Sequence, residues 1–226
     1  MSDWGNEAEL DRDGAQRFDG ACRDNLDALR SIVQPLDAIR PGHRLRDLRG
    51  LAAHLDRGSP VWNLAARMLG NHVRPVRALL LNKTPAKNWS LSWHQDRTIC
   101  VRERLATPGF DAWTSKSGLL HVEPPFEIME KMVTARIHLD DTGRLNAPLL
   151  VAPGSHRLGR ISEADINRVV QSCGEKTCIA RAGDVWLYAT PILHASKVSE
   201  APDQRRVLQV DFCAIELPGG LEWAGI

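Results

Sequence analysis

Apolar and polar residues follow two rhythms along this chain, and the change falls near Arg74. Before it, apolar side chains recur at helical spacing. Leu26, Leu29, Ile32 and Val33 form one stripe that Pro35 closes, and Val61, Leu64, Ala65 and Met68 form a second. Ser59 and Pro60 predict a sharp start for the second helix, because a serine oxygen can accept from the free amides and proline suits the first helical position; Gly70 predicts its stop. Ala15 to Phe18 reads as a short strand. From Arg74 onward, short apolar runs bounded by turn residues replace the stripes: 76–81, 89–93, 132–139, 148–151, 185–188 and 207–212. Runs of this length predict strands, and their spacing predicts an antiparallel sandwich or jelly roll. One helix interrupts them over 161–170, with Ser162 and Asp165 in capping-box relation and Gly174 past its end. Residues 97–131, rich in turn formers (Pro108-Gly109, Ser117-Gly118, Pro124-Pro125), read as a long loop of the kind that usually serves function.

The expected architecture is mainly β with flanking helices. A chain of 226 residues can bury one substantial core, so a single domain over 1–226 is expected. Its N-terminal helical part covers about 1–73, its jelly-roll core about 74–215, and its active-site loop about 97–131. With 29 basic against 28 acidic residues the net charge is +1, which lacks the footprint of a nucleic-acid binder or a polybasic membrane protein. The basic stretch 40–57 carries Asp47 and Asp56 among its arginines and reads as solvated surface. Five cysteines, odd in number and without C-x-x-C spacing, argue against a disulfide framework or structural zinc and imply a reducing compartment. The N-terminal segment 1–7 is polar and acidic in character with no apolar h-region, and no apolar run of about 18 residues occurs, so a soluble cytoplasmic protein without membrane or nucleic-acid partners is expected. Nothing in the pattern reports oligomeric state.

Candidate chemistry centres on Trp93-His94-Gln95-Asp96. Alternate side chains of a strand share a face, so His94 and Asp96 would project together while Gln95 points away. A third ligand from a distant strand would complete a mononuclear site, and His194 fits. Two histidines and one carboxylate on one side of a metal, with the other side open, suit non-haem Fe(II) oxygenases. The spacing alone is weak evidence, since His121-Val122-Glu123 and His138-Leu139-Asp140 share it. His138 sits in an apolar run followed by a turn and reads as a hydrogen-bonded strand histidine. His121 runs into Pro124-Pro125, which cannot continue a central strand, and reads as a loop lining a pocket.

What surrounds the candidates separates them. Leu79-Leu80-Leu81-Asn82-Lys83, Trp93-His94-Gln95-Asp96, Pro153-Gly154-Ser155-His156, and His194-Ala195-Ser196 followed by Arg205-Arg206 occur in an order that resembles the phytanoyl-CoA dioxygenase family of Fe(II)/2-oxoglutarate oxygenases. The resemblance runs from about Val76 to Phe212. It implies a double-stranded β-helix (jelly-roll, cupin-like) core with N-terminal helices. It also implies Fe(II) held by His94, Asp96 and His194, with 2-oxoglutarate as cosubstrate and O2 as oxidant. By the same resemblance Arg205, eleven residues after His194, would bind the far carboxylate of 2-oxoglutarate, with Ser196 donating beside it. A guanidinium fork suits a carboxylate, and Arg206 would point to the opposite face of the strand. One departure is Asn146-Ala147-Pro148, where the family often has glycine in the middle.

The implied reaction converts 2-oxoglutarate to succinate and carbon dioxide while an unactivated C–H bond of a small molecule is hydroxylated or otherwise oxidised. Asp96 stands where related halogenases have glycine or alanine, which favours hydroxylation or desaturation. For the substrate, Lys83, Gln95 and Arg97 flank the metal strand, Arg136 could face the barrel, and Trp113, His121 and Glu123 could form a lid. The alternative is a cupin-like metal-binding protein or isomerase without oxygenase activity, which has no use for an oxoglutarate clamp at Arg205 and Ser196.

Overall fold

The computed structural model describes residues 7–36 and 42–226, so the polar N-terminal segment and Arg40 lie outside the described residues. In chain order the first elements are α1 (Glu7–Asp13), β1 (Ala15–Phe18), α2 (Leu26–Val33), β2 (Gly42–Leu45), α3 (Pro60–Leu69), β3 (Arg74–Lys83) and β4 (Leu91–His94). Then come β5 (Ile99–Val101), β6 (Asp111–Lys116), β7 (Leu119–Glu123), α4 (Phe126–Met129), β8 (Met132–His138) and β9 (Leu149–Val151). The last are α5 (Ile166–Cys173), β10 (Lys176–Cys178), β11 (Val185–Ala189), β12 (His194–Ser196) and β13 (Arg205–Cys213).

A six-stranded sheet runs β1-β11-β8-β13-β3-β2, and a four-stranded sheet runs β10-β9-β12-β4. Every described pairing in them is antiparallel. This is the expected jelly roll. Alternation gives the large sheet two unlike faces. Ala78, Leu80, Ala135, Ile137, Val185, Leu187, Leu208 and Val210 project outward and form one apolar core with Leu29 and Val33 of α2 and Val61, Leu64 and Ala65 of α3. The helices therefore cover one face of the sheet, which is why their stripes were legible. The opposite face is largely polar. Register places Arg205 beside Lys83, Gln209 beside Arg136, and Asp211 beside both Arg77 and Thr134. An apolar cluster spans the two sheets at the β1–β11 end, where Ala15, Trp186, Tyr188 and Ile192 meet Leu149, Val151 and Cys178. Outside the small sheet, Ile166 and Val169 of α5 pack on Ala152, Ile161 and Leu193.

Helix ends follow local chemistry. Ser59 Oγ accepts from the Trp62 amide at 3.2 Å, with Pro60 in the first position, and Gly70 ends α3 at φ +81°. The helix expected over 161–170 begins later. Glu163–Asp165 is a 3-10 turn, and Ser162 Oγ donates to the Asp165 carboxylate at 2.7 Å instead of capping an amide.

Two expectations need correction. Residues 97–131 are not a long loop: they form a separate sheet, β5-β7-β6, closed by α4. Val76, Ile99, Val101, Val122 and Met129 bury its base against Leu221 and Trp223 of the C-terminal tail. The N-terminal part is also less helical than expected: the strand expected at Ala15 to Phe18 is present as β1, but β2 adds a second strand, so the two extend opposite edges of the large sheet. All five cysteines are free, and among the described residues no helix is long and apolar enough to cross a membrane.

Candidate metal centre and its anion pocket

The small sheet brings the two histidines together. β4 and β12 pair with His94 directly opposite His194, and the rings lie 4.2 Å apart at centroids, tilted by 54°. Asp96 follows just beyond the end of β4. Ligand atoms of His94, Asp96 and His194 all lie within 4.8 Å of one another, the only such group of histidine, cysteine or carboxylate side chains among the described residues. Each histidine is also fixed in tautomer. His94 Nδ1 lies 2.8 Å from the Ser92 carbonyl and His194 Nδ1 lies 2.9 Å from the Ile192 carbonyl. A carbonyl can only accept, so both Nδ1 atoms carry the proton and both Nε2 atoms present lone pairs. Burial, with the neighbouring His94, pulls His194 down to about 4, which keeps it neutral.

Asp96 is oriented from the large sheet. Arg77 Nη2 lies 3.4 Å from its Oδ2, while Arg77 Nε donates to the buried Asp211. Asp211 also accepts from Thr134 Oγ1 at 3.0 Å, and Thr134 reaches Thr190 at 3.0 Å. Burial alone would raise Asp96, but the Arg77 charge, aided by His194, His94 and Arg136, holds its carboxyl below the ordinary range. Asp211 is held above that range, because burial outweighs Arg77 there.

Further along the same face lies a cluster of cations. Arg205 is fully buried, and its Nη1 donates to the Ala147 carbonyl at 2.7 Å. Lys83, 1% exposed, donates to Ser196 Oγ at 3.0 Å and to the Lys197 carbonyl at 2.6 Å. Burial and the neighbouring Arg136 lower Arg205 to about 9; burial, Arg205 and Arg136 lower Lys83 to about 7. Five buried polar atoms of this face have no hydrogen-bond partner: Arg205 Nε and Nη2, Arg136 Nε, His138 Nε2 and the Tyr188 hydroxyl. Buried polar groups are ordinarily satisfied, so such a concentration marks a place shaped for a ligand.

The other residues singled out from sequence fall elsewhere. Gln95 turns away from the site, donating to the Gly159 and Pro191 carbonyls at 3.0 and 2.8 Å and accepting from the Ile161 amide at 2.9 Å. Arg97 donates to the Ile161 carbonyl at 2.7 Å. His121 is not on a loop: it is buried in β7 with Cys100 Sγ 3.5 Å from its Nε2, and burial lowers it to about 4. Glu123 pairs with Arg160 at 2.6 Å. His138 Nδ1 meets Thr142 Oγ1 at 3.0 Å, while Asp140 is gripped by Arg206 through 2.7 and 2.8 Å bonds, so this pair does not converge. The Arg77–Asp211–Thr134 network has a single signal in the sequence, Asp211 inside the apolar run Val207–Phe212.

A jelly roll with a His-Asp-His cluster between its sheets defines a cupin-like protein with a candidate metal centre. The sequence model of the phytanoyl-CoA dioxygenase (PhyH) family matches residues 10–207, and the chain belongs to that family of dioxygenases. Among solved structures it is similar to EctD from S. alaskensis in its apoform, at 18% identity and TM-score 0.64, over 95% of this chain and 80% of that one. HygX from Streptomyces hygroscopicus with nickel and 2-oxoglutarate bound matches at 17% identity and TM-score 0.63, over 92% and 87% of the two chains. AviO1 from Streptomyces viridochromogenes Tue57 matches at 19% identity and TM-score 0.62, over 97% and 98%. At such identities the likeness concerns the fold. No curated protein matches the chain in sequence.

Proposed function

We propose that this protein is a non-haem Fe(II)/2-oxoglutarate-dependent dioxygenase that hydroxylates, or otherwise oxidises, an unactivated C–H bond of a small molecule. The observation that carries this reading is the coexistence, on facing sheets, of a convergent His94–Asp96–His194 group and a buried Arg205 with two unpaired nitrogens. His94 Nε2, His194 Nε2 and an Asp96 oxygen are the ligands the chain would offer, and neutral imidazoles with an ionised carboxylate suit Fe(II). Family membership, and structures of HygX with iron bound and with nickel and 2-oxoglutarate bound, support Fe(II) and 2-oxoglutarate for this chain. When bound, iron with 2-oxoglutarate would supply oxygen activation: one oxygen atom of O2 enters succinate as carbon dioxide leaves, and the other enters the product in a hydroxylation or leaves as water in a desaturation.

The chain's own part is binding and orientation. Arg205 would pair its free Nε and Nη2 with the far carboxylate, Ser196 would donate beside it, and Lys83 would add a second cation. Lys83 is drawn down to about 7 without an anion, and a carboxylate alongside would restore its charge. Gln95, Arg97 and His121, engaged in structural bonds, receive no substrate role in this reading. Asp96 supports hydroxylation or desaturation over halogenation. A cupin-like metal-binding protein or isomerase is the second reading, and the unpaired Arg205 weighs against it.

The test is Fe(II)-dependent conversion of 2-oxoglutarate to succinate without added substrate. His94→Ala and Asp96→Ala should each remove it; succinate formation at the wild-type rate in either variant would refute the ligand assignment. Metal binding without any binding of 2-oxoglutarate would favour the second reading.

A further inference from the structure

We propose that Arg136 anchors an anionic group of the substrate, a carboxylate or a phosphate, in the same cavity. This deepens the dioxygenase reading and rests on it. Arg136 is 4% exposed in the middle of β8, faces between the sheets, and its Nε has no partner. No described hydrogen bond or ion pair engages its guanidinium. An unpaired buried cation of this kind destabilises the fold, so stability alone does not account for an arginine at this position.

Charge balance says what is missing. Between the two sheets, Arg77, Arg136 and Arg205 outnumber Asp96 and Asp211 by one, before Lys83 is counted. Besides Asp211, the one carboxylate buried to a similar degree among the described residues is Asp184, which is held by the amides of Gly20 and Arg181 at 2.7 and 2.8 Å. A divalent metal and a dianionic cosubstrate cancel one another. The positive excess therefore survives loading, and a further anion is needed to neutralise it.

Position separates Arg136 from the clamp. It stands level with Gln209, four residues along β13 from Arg205 and two from Asp211. At strand rise those separations are about 13 Å and about 7 Å. Arg136 is thus nearer to the Arg77–Asp211 network that orients Asp96 than to the far-carboxylate end. An acid held there would lie beside the metal without competing for Arg205.

The test uses the whole protein under anaerobic conditions, loaded with Fe(II) and saturating 2-oxoglutarate. It is titrated calorimetrically with benzoate, hexanoate and phenyl phosphate, and with the neutral benzamide and hexanamide. At least one anion should bind the wild type. Its affinity should fall tenfold or more in Arg136→Gln, by a larger factor than that of 2-oxoglutarate, and recover in part in Arg136→Lys. Apo Arg136→Gln should melt no lower than wild type, since an unpaired buried cation has been removed, and this separates lost binding from lost folding. Amides bound as tightly as acids, or no anion bound to the wild type, would overturn the proposal. Equal losses for 2-oxoglutarate and the probes would do so too, by assigning Arg136 to the cosubstrate. Failure of the underlying reading shows earlier, as no 2-oxoglutarate binding to Fe(II)-loaded wild type, and removes both.

Discussion

Replacing Arg77 by methionine should damage the protein in two separable ways. Arg77 is 8% exposed and its main partner Asp211 is 1% exposed, so the substitution leaves a buried carboxylate with only the Thr134 hydroxyl. Removing one partner of a buried ion pair costs about 3–5 kcal/mol. For a domain of this size each kcal/mol corresponds to about 2–4 °C, so Tm should fall by about 6–20 °C. Burial already holds Asp211 above its ordinary range, and losing Arg77 raises it further. The folded variant then binds a proton that the unfolded chain does not, and the deficit should narrow as pH falls from about 7 towards about 5. Adding Asp211→Leu should restore most of the stability, because a buried pair exchanged for apolar groups is often near neutral. It should not restore metal affinity, since Asp96 still lacks the guanidinium 3.4 Å away. Loss of such an outer partner typically weakens metal binding about 10–100-fold. Differential scanning calorimetry and a cobalt(II) titration of the single and double variants read the two effects. A double variant no more stable than the single one, or one that binds cobalt like wild type, would refute the reasoning.

Other consequences are equally direct. Arg205→Ala should weaken 2-oxoglutarate by roughly 30-fold to several thousand-fold, the equivalent of about 2–5 kcal/mol for a buried charged hydrogen bond. Arg206→Ala should barely affect it while losing the bond to Asp140, and the reverse ranking in a binding titration would move the clamp. His121 is lowered to about 4, so it is neutral in the fold; as pH drops below about 6.5 the unfolded chain gains a proton that the folded one refuses. About 2 kcal/mol of stability should be lost by about pH 5 on this account, and urea unfolding of His121→Phe should show a shallower acid slope. An unchanged slope would place the acid sensitivity elsewhere. Ser59→Ala removes the cap on the Trp62 amide and should cost about 1 kcal/mol, or about 2–4 °C in Tm.

Legibility in the sequence tracked how each element is buried. β3, β8, β11 and β13 are nearly continuous runs of buried residues, and α2 and α3 cover the outward face with one stripe each. β6 escaped notice because it is almost wholly exposed, so no alternation marks it, and β5 is only three residues long. β2 is a half-buried edge. At the site, the spacing of His94 and Asp96 has a chemical meaning, the segments around them separate the pair from the two others of the same form, and His94, Asp96 and His194 do converge. Gln95 adjoins the metal ligands in sequence alone, and strand parity already turns it away. Arg77 and Asp211 could not be paired from sequence, since their 134-residue separation is bridged only by the β3–β13 register.

The unlike faces of the large sheet also bear on how the chain finds its register. A one-residue slip of β13 against its neighbours would turn Arg205, Gln209 and Asp211 toward the apolar layer of α2 and α3, and send Leu208 and Val210 between the sheets. Each misplaced charge would meet leucine and valine with no partner, at a cost of several kcal/mol. Side chains that burden the native state in the absence of ligand thus burden every shifted pairing far more. The residues reserved for chemistry double as the residues that make wrong strand pairings unaffordable to the folding chain.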